Sequence, residues 1–249
     1  MTGIDLSALF PIAAIFVVAG LVKGVTGMGL PTVAVALLSF LMTPVAAAGL
    51  LLVPSFVTNV WQLAAGPAFR PLFVRLWPMM AAIVLGTVPG AALIASGDTR
   101  LTASALGAAL FLYAALALLL PPFAVPRRLE CWLSPPVGLA TGVVTGATGV
   151  LVIPAVPYLQ SLGLSRDDLV QALGLSFTVS TMALALGLFW QNALPSANLG
   201  ISLLAVPPAL LGMWIGQSLR HRIGPALFRR CFLAGLLILG AEMGLRPWL

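Results

Sequence analysis

The stretch that decides the fold is Ala19 to Pro31, AGLVKGVTGMGLP, which places four glycines, a threonine, a proline and a lysine inside a continuous apolar run. Glycine and proline weaken helix interiors, and a charge at the centre of a bilayer costs about 2.5–3.5 kcal/mol on insertion scales. Non-helical backbone at membrane depth is tolerated only where protein or a wet cavity surrounds it. The stretch therefore predicts a helix that breaks inside a membrane protein.

The composition of the whole chain agrees with this interpretation. Of the 249 residues, 61% are hydrophobic and 7% are charged, and the mean hydropathy is +1.12. Soluble domains contain about 25% charged residues, so the sequence predicts an integral protein of the lipid bilayer, with one membrane domain over 1–249. The net charge of +6 does not indicate a nucleic-acid partner, because the Lys and Arg residues are spread over short loops.

Apolar runs bounded by Pro, Gly and charged residues predict ten helical segments. The second and seventh are too short to cross a hydrocarbon core of about 30 Å at about 1.5 Å per residue. The sixth is also short, unless it begins in the region from Arg127 to Trp132. The predicted segments are 6–26, 30–42, 45–65, 76–95, 101–121, 135–149, 150–163, 169–189, 199–219 and 226–245.

The glycine-rich stretch has a second copy, GLATGVVTGATGVLVIP at 138–154. Aligning the two copies predicts a first repeat at 1–122 and a second repeat at 127–249, each made of a helical hairpin followed by three transmembrane helices. The aligned pairs are Gly20 with Gly138, Gly24 with Gly142, Thr26 with Thr145, Gly27 with Gly146, Gly49 with Gly174, Ser55 with Ser180, Gly86 with Gly212 and Gly90 with Gly216.

The distribution of basic residues predicts how the halves are oriented. Lys and Arg accumulate in cytoplasmic loops, and nine of the twelve fall in alternate predicted loops, at Arg70, Arg75, Arg127, Arg128, Arg166, Arg220, Arg222, Arg229 and Arg230. The alternation works only if each hairpin returns to its starting side, so the halves have opposite orientations. We predict an all-α, polytopic fold of two inverted repeats with five segments each, with both termini in the periplasm.

The two glycine-rich tips predict an anion site. Symmetry places the second tip, Thr145 to Gly149, opposite the first, where helix N-termini offer partial positive charge and free N–H groups and Lys23 adds a full charge. Polar residues in segments three and eight predict a shared cavity lining. The predicted substrate-binding residues are Lys23, Thr26, Gly27, Gly29, Pro31, Asn59, Thr145, Gly146, Thr148, Gly149, Ser176 and Ser180.

Two alternatives to this interpretation stay open. Glycines spaced four residues apart are typical of close helix packing, which fits Gly20, Gly24, Gly138 and Gly142. Lys23 can also extend its ammonium to the membrane interface if the first segment ends there.

Enzyme chemistry finds no support in the sequence. The single histidine, His221, lies in the most basic loop, and the six acidic residues lie at segment ends or in loops. Cys131 and Cys231 are far apart in the chain, which indicates neither a disulfide nor a metal motif. We therefore predict no enzyme activity, no catalytic residues, no cofactor and no metal.

The two glycine motifs, together with AAAGLLLVPS at 46–55 and QALGLSFTVS at 171–180, resemble the TauE/SafE family of sulfite exporters over essentially the whole chain. The resemblance implies transport of sulfite, sulfonates or other small organosulfur or carboxylate anions across the bacterial inner membrane. The first copy reads GMGLP where the family has a fuller glycine run, which leaves the anion open. The motif positions carried over are Lys23, Thr26, Gly27, Gly29, Pro31, Thr145, Gly146, Gly149 and Pro154.

The leading functional hypothesis is a secondary carrier that works by alternating access around the two tips. The alternative is a passive anion channel, or a membrane protein that binds or scaffolds without transport. The direction of transport, the coupling ion (a proton or sodium) and the oligomeric state stay open.

Overall fold

A computed structural model describes residues 6–96, 98–119, 123–194, 196–219 and 225–245. Within these ranges the chain is helical and contains no strand, which confirms the predicted all-α class. The eleven helices found in this part of the chain are α1 (Leu6–Thr26), α2 (Leu30–Leu38), α3 (Pro44–Ala64), α4 (Phe69–Ala95), α5 (Thr99–Leu119), α6 (Arg127–Thr148), α7 (Ala155–Ser161), α8 (Arg166–Trp190), α9 (Ser196–Leu204), α10 (Val206–Leu219) and α11 (Pro225–Leu245).

Several of these helices are suited to a bilayer. The six stretches of described chain that are long and apolar enough to cross a membrane are Leu9–Thr26, Pro44–Ala64, Phe69–Ala95, Thr99–Leu119, Arg166–Trp190 and Gly200–Leu219. Helix α11 has 21 residues but contains Arg229, Arg230 and Glu242, and it is not among the six. The chain is thus a multi-pass membrane protein.

The short second and seventh segments are confirmed, since α2 has 9 residues and α7 has 7. Helix α6 begins at Arg127 and reaches 22 residues, the longer of the two lengths considered for it. The prediction that Arg70 and Arg75 lie in a loop is wrong, because α4 begins at Phe69. The charge of Arg75 is accommodated within the helix because its guanidinium pairs with Glu130 of α6.

The ninth segment is divided in two, where one helix over 199–219 was predicted. Helix α9 ends at Leu204 and α10 begins at Val206, with the prolines Pro207 and Pro208 in its first turn. Proline has no N–H to donate to a preceding helical turn, which accounts for the interruption at Ala205.

Glycines set the closest helix contacts. Helix α1 packs along α10, and α6 packs along α4. A methyl group at Gly24 would lie 2.8 Å from Gln217 N, and one at Gly142 would lie 2.8 Å from Thr87 N, so a side chain at either position would meet backbone. The packing interpretation is confirmed for the four glycines it concerned, which are Gly20, Gly24, Gly138 and Gly142.

Helices α3 and α8 pack against each other in antiparallel directions. Near the end of α3, Leu63 O accepts a hydrogen bond from Gln171, which lies near the start of α8. Near the start of α3, Ala48 and Leu52 share an apolar cluster with Leu184 and Leu188 from the end of α8. The functional residues lie along this pair of helices.

Candidate functional site

The first break, Gly27–Gly29, separates α1 from α2. Gly27 has φ +80° and Gly29 has φ +98°, values that favour glycine. Thr26 Oγ1 donates to Val22 O at 2.8 Å and accepts from Met28 N at 3.2 Å, so the hydroxyl satisfies backbone groups where the helix ends. Pro31 lies in the first turn of α2, where no N–H donor is required.

The second break, Gly149–Pro154, begins with the same local geometry as the first. Gly149 ends α6 with φ +74°, and Thr148 Oγ1 donates to Val144 O at 2.6 Å and accepts from Val150 N at 3.2 Å. Thr148 and Gly149 therefore match Thr26 and Gly27, 122 residues earlier in the chain.

The predicted pairing of Thr26 and Gly27 with Thr145 and Gly146 is wrong. The second motif contains two Thr-Gly dipeptides, and Thr145 and Gly146 lie inside α6, before the break. A methyl group at Gly146 would lie 2.6 Å from Ala91 N, so this glycine packs against α4. In the observed register Lys23 corresponds to Thr145 and Gly24 corresponds to Gly146.

The two breaks do not meet at one central point, contrary to the prediction. Gly27 O accepts from Gln62 Nε2 at 2.8 Å, near the end of α3. A methyl group at Gly149 would lie 3.6 Å from Ala48 Cβ, near the start of α3. Since a helix rises about 1.5 Å per residue, the breaks are separated by about 20 Å along α3.

Lys23 is buried between α1, α3 and α8, with 2% of its surface exposed. Its ammonium donates to Thr58 Oγ1 at 3.3 Å and to Asn59 Oδ1. Asn59 Nδ2 donates in turn to Thr181 Oγ1 at 3.3 Å. The interface alternative for Lys23 is wrong, because its side chain points into the protein and is covered by these three helices.

The partners of Lys23 are neutral. Among the described residues, no carboxylate lies within ion-pair distance of its ammonium. An ammonium has three N–H donors, and two of them have acceptors within the described chain. A buried charge is ordinarily paired, whereas the described partners of Lys23 are neutral oxygens, and one of its N–H donors has no acceptor in the described part of the chain.

A cleft of about 90 Å³ lies beside Lys23. Gly27, Gln62 and Val170 contribute to its walls where α1, α3 and α8 meet, and Met213 and Gln217 of α10 close another side. Trp61, which is 63% exposed, lies at its rim. The charged residue and the first break therefore border the same small space.

Gln62 connects the first break to α3 and α8 by hydrogen bonds. Its Nε2 donates to Gly27 O at 2.8 Å and to Val170 O at 2.9 Å, whereas its buried Oε1 has no partner within the described residues. An unpaired buried acceptor costs about 1–3 kcal/mol. The sequence places Gln62, one turn after Asn59, among the polar residues of segment three that predict a cavity lining, but the predicted substrate-binding residues do not include it.

The predicted serines on α8 are buried and lack partners. Ser176 and Ser180 lie four residues apart on one face of the helix, and neither hydroxyl has a hydrogen-bond partner in the described part of the chain. The same holds for Ser55 on α3, the residue aligned with Ser180. By contrast, Thr145 Oγ1 donates to Val150 O at 3.2 Å and supports the second break.

An ion pair holds the second hairpin. Arg75 donates to both carboxylate oxygens of Glu130, at 2.8 and 2.7 Å, and to Leu162 O at 3.1 Å, at the end of α7. Tyr158 of α7 lies 2.7 Å from Ser134 Oγ of α6. This cluster joins α4, α6 and α7, and none of its residues lines the cleft beside Lys23.

Comparison with known families gives one match, over residues 12–243, to the family described as Sulfite exporter TauE/SafE. No curated protein and no solved structure matches the chain. The family match covers most of the chain, including both breaks, Lys23 and the α3–α8 pair.

Proposed function

Because the chain belongs to the TauE/SafE family of sulfite exporters, we propose that it is a secondary carrier for a small anion, and that Lys23 is the counter-charge for this anion. Sulfite, sulfonates and small carboxylates are the candidate substrates. The observation that carries the proposal is the buried ammonium of Lys23, whose described partners are neutral oxygens.

The binding site in this proposal is the cleft beside the first break. Lys23 supplies charge, and Asn59 and Thr58 hold its ammonium in place from α3. Thr26, Gly29 and Pro31 shape the break, while Gly27 also borders the cleft. Ser176 and Ser180 extend polar surface along α8, where their hydroxyls are available to an anion that moves through the helix pair.

Transport by alternating access requires the site to open toward each side in turn. Two observations support halves of opposite orientation: α3 and α8 are antiparallel, and the matching breaks lie near opposite ends of α3. In the proposed mechanism, the anion passes between the ends along α3 and α8. Thr145, Thr148 and Gly149 then belong to the far end of this route, and Gly146 acts through helix packing.

Exchange of radioactive sulfite in proteoliposomes tests the function. The wild-type protein should show saturable counterflow when unlabelled sulfite is trapped inside, and Lys23→Met should slow it at least 100-fold, because loss of a buried charged contact costs about 3 kcal/mol. Arg230→Met is the matched control, since it removes one positive charge from an exposed position on α11.

Three results would contradict the proposal in different ways. Equal counterflow in Lys23→Met and wild type would exclude Lys23 as the counter-charge. Large anion currents without counterflow would indicate a channel, and absence of sulfite, sulfonate and carboxylate flux would indicate a protein that binds without transport.

The proposed location is the bacterial inner membrane, with both termini in the periplasm. Reporter fusions after Gly97 and after Leu249 test this orientation, because both should be active on the periplasmic side. A cytoplasmic result for one of them would contradict the inverted arrangement.

A further inference from the structure

Gln62 has a fixed orientation beside the cleft. Both hydrogens of its amide nitrogen are bound by backbone carbonyls, Gly27 O at 2.8 Å and Val170 O at 2.9 Å. Exchanging the amide nitrogen and oxygen would place the oxygen against two other acceptors, so the hydrogen bonds determine which atom is which. The oxygen is therefore an acceptor that the described protein leaves unpaired.

Gln171 shows what a fully satisfied glutamine looks like in the same helix pair. Its Nε2 donates to Leu63 O at 2.8 Å and to Gly66 O at 2.5 Å, and its Oε1 accepts from Ala68 N at 2.8 Å. Gln62 and Gln171 both connect α3 with α8, and both are buried. The difference between them is that Gln62, a residue that lines the cleft together with Lys23, has a buried acceptor with no partner in the described part of the chain.

The residues that line the cleft thus include one with a positive donor, Lys23, and one with an unpaired neutral acceptor, Gln62. Lys23 offers an N–H to negative oxygen, whereas Gln62 Oε1 can bind only a group that carries hydrogen. We propose that the anion bound here is a monoanion with its own O–H or N–H donor, and that Gln62 selects it by accepting this hydrogen. The inference rests on the proposed function, and it narrows the substrate to protonated oxyanions and small amine-bearing sulfonates.

The size of the cleft limits the ligand further. A dry protein cavity of about 150 Å³ admits benzene, which has six carbon atoms. A volume of about 90 Å³ therefore suits roughly four non-hydrogen atoms by the same comparison, the size of a small oxyanion rather than of an aromatic ring. Fully deprotonated oxyanions of this size fit the space but give Gln62 nothing to accept.

Sulfamate and methanesulfonate form a matched pair of probes. Both are monoanions with one sulfur, three oxygens and one further heavy atom, and they differ in carrying an amine or a methyl group. Calorimetry on the purified full chain should give sulfamate about tenfold tighter binding than methanesulfonate, which corresponds to one added hydrogen bond or about 1.4 kcal/mol.

Two variants test whether Gln62 causes the preference for sulfamate over methanesulfonate. Gln62→Met keeps the length of the side chain and removes the acceptor, so the two probes should bind within twofold of each other. Gln171→Met removes a comparable bridge between α3 and α8 and should leave the tenfold preference intact. The wild-type comparison decides the proposal even if Gln62→Met does not fold, since it requires no variant.

The outcomes separate this inference from the function on which it rests. Equal affinities for the two probes in a wild-type protein that exchanges sulfite would overturn the role of Gln62 and leave the carrier standing. A tenfold preference that persists in folded Gln62→Met would also overturn it. Absence of sulfite exchange in the wild type would contradict the proposed function itself.

Discussion

The first and second breaks begin with the same Thr-Gly helix end and have a different residue one turn before it. Thr26 and Gly27 close α1 with hydroxyl contacts and a positive φ that Thr148 and Gly149 repeat at the end of α6. Three positions before each of these threonines, the first half has Lys23 and the second has Thr145. The geometry of the helix end is thus common to both halves, and the charge is confined to one of them.

The two breaks also differ in how they are held. An amide, Gln62, fastens the first to α3 and α8, next to the cleft. An ion pair between Arg75 and Glu130 connects the second hairpin, α6 and α7, to α4. Substitutions at the helix ends and glycine contacts that the two halves share should lower the stability of the protein equally from either half. Substitutions of Lys23, or of the residues that hold its ammonium, concern the first half alone.

The largest expected loss of stability is at Asn59, which corresponds to the apolar Leu184 in the second half if the predicted pairing of Ser55 with Ser180 is continued. Asn59→Leu removes the amide acceptor of the buried Lys23 ammonium and leaves Thr58 Oγ1 as its described acceptor, which should lower the free energy of unfolding by about 3 kcal/mol. Unfolding in detergent micelles with increasing SDS measures this loss. Thr178→Val, a control on α8, should cost less than about 1 kcal/mol, and an equal loss in both variants would contradict the role of Asn59.

The next largest expected loss of stability is at the glycine contacts that the two halves share. Gly24→Ala and Gly146→Ala each force a methyl group against backbone of a neighbouring helix, and each should lower the free energy of unfolding by about 2 kcal/mol. The same SDS titration applies. Gly235→Ala is the matched control, because a methyl group there meets no atom within 4 Å. Tolerance of one substitution but not the other would break the observed register.

The ion pair of the second hairpin should affect stability alone. Glu130→Gln removes the charged partner of Arg75, whose side chain is 24% exposed, and should lower the free energy of unfolding by about 1.5 kcal/mol. Sulfite binding, measured by calorimetry on the same sample, should stay within threefold of wild type. A tenfold loss of sulfite affinity would mean that the second hairpin contributes directly to the site.

The smallest expected loss of stability is at Thr26 and Thr148. Their substitution tests whether the Thr26 hydroxyl only supports the break or also binds the ligand. Thr26→Val and Thr148→Val each remove a hydroxyl bonded to backbone at a helix end, and each should cost about 1 kcal/mol of stability. Sulfite affinity should change by less than threefold in both. A loss of sulfite affinity in Thr26→Val but not in Thr148→Val would indicate that the Thr26 hydroxyl binds the anion.

Much of the architecture could be predicted from the sequence because it depends on local rules. Glycine and proline at 27–31 end one helix and begin another, and the lengths of α2 and α7 follow from the apolar runs. Lys23 stands out as a charge in an apolar segment, and Asn59 as an amide within a span. These residues are brought together by the fold.

Other features depend on contacts that a single sequence does not reveal. The repeated Thr-Gly dipeptide allows two registers, and only the contact of Gly146 with α4 shows that the helix continues past the first. The separation of the breaks depends on how α3 and α8 are aligned. Arg75 was assigned to a loop because its partner, Glu130, is 55 residues away in the chain.

The central claim is that an anion binds to the ammonium of Lys23, and this residue is the only lysine in the chain. Protein labelled with [15N]lysine therefore has one Nζ resonance, which NMR in detergent micelles can follow during a sulfite titration. We predict a saturable shift of this resonance, with the same dissociation constant that calorimetry gives on the same sample. An unchanged Nζ resonance at sulfite concentrations where calorimetry shows binding would contradict the claim.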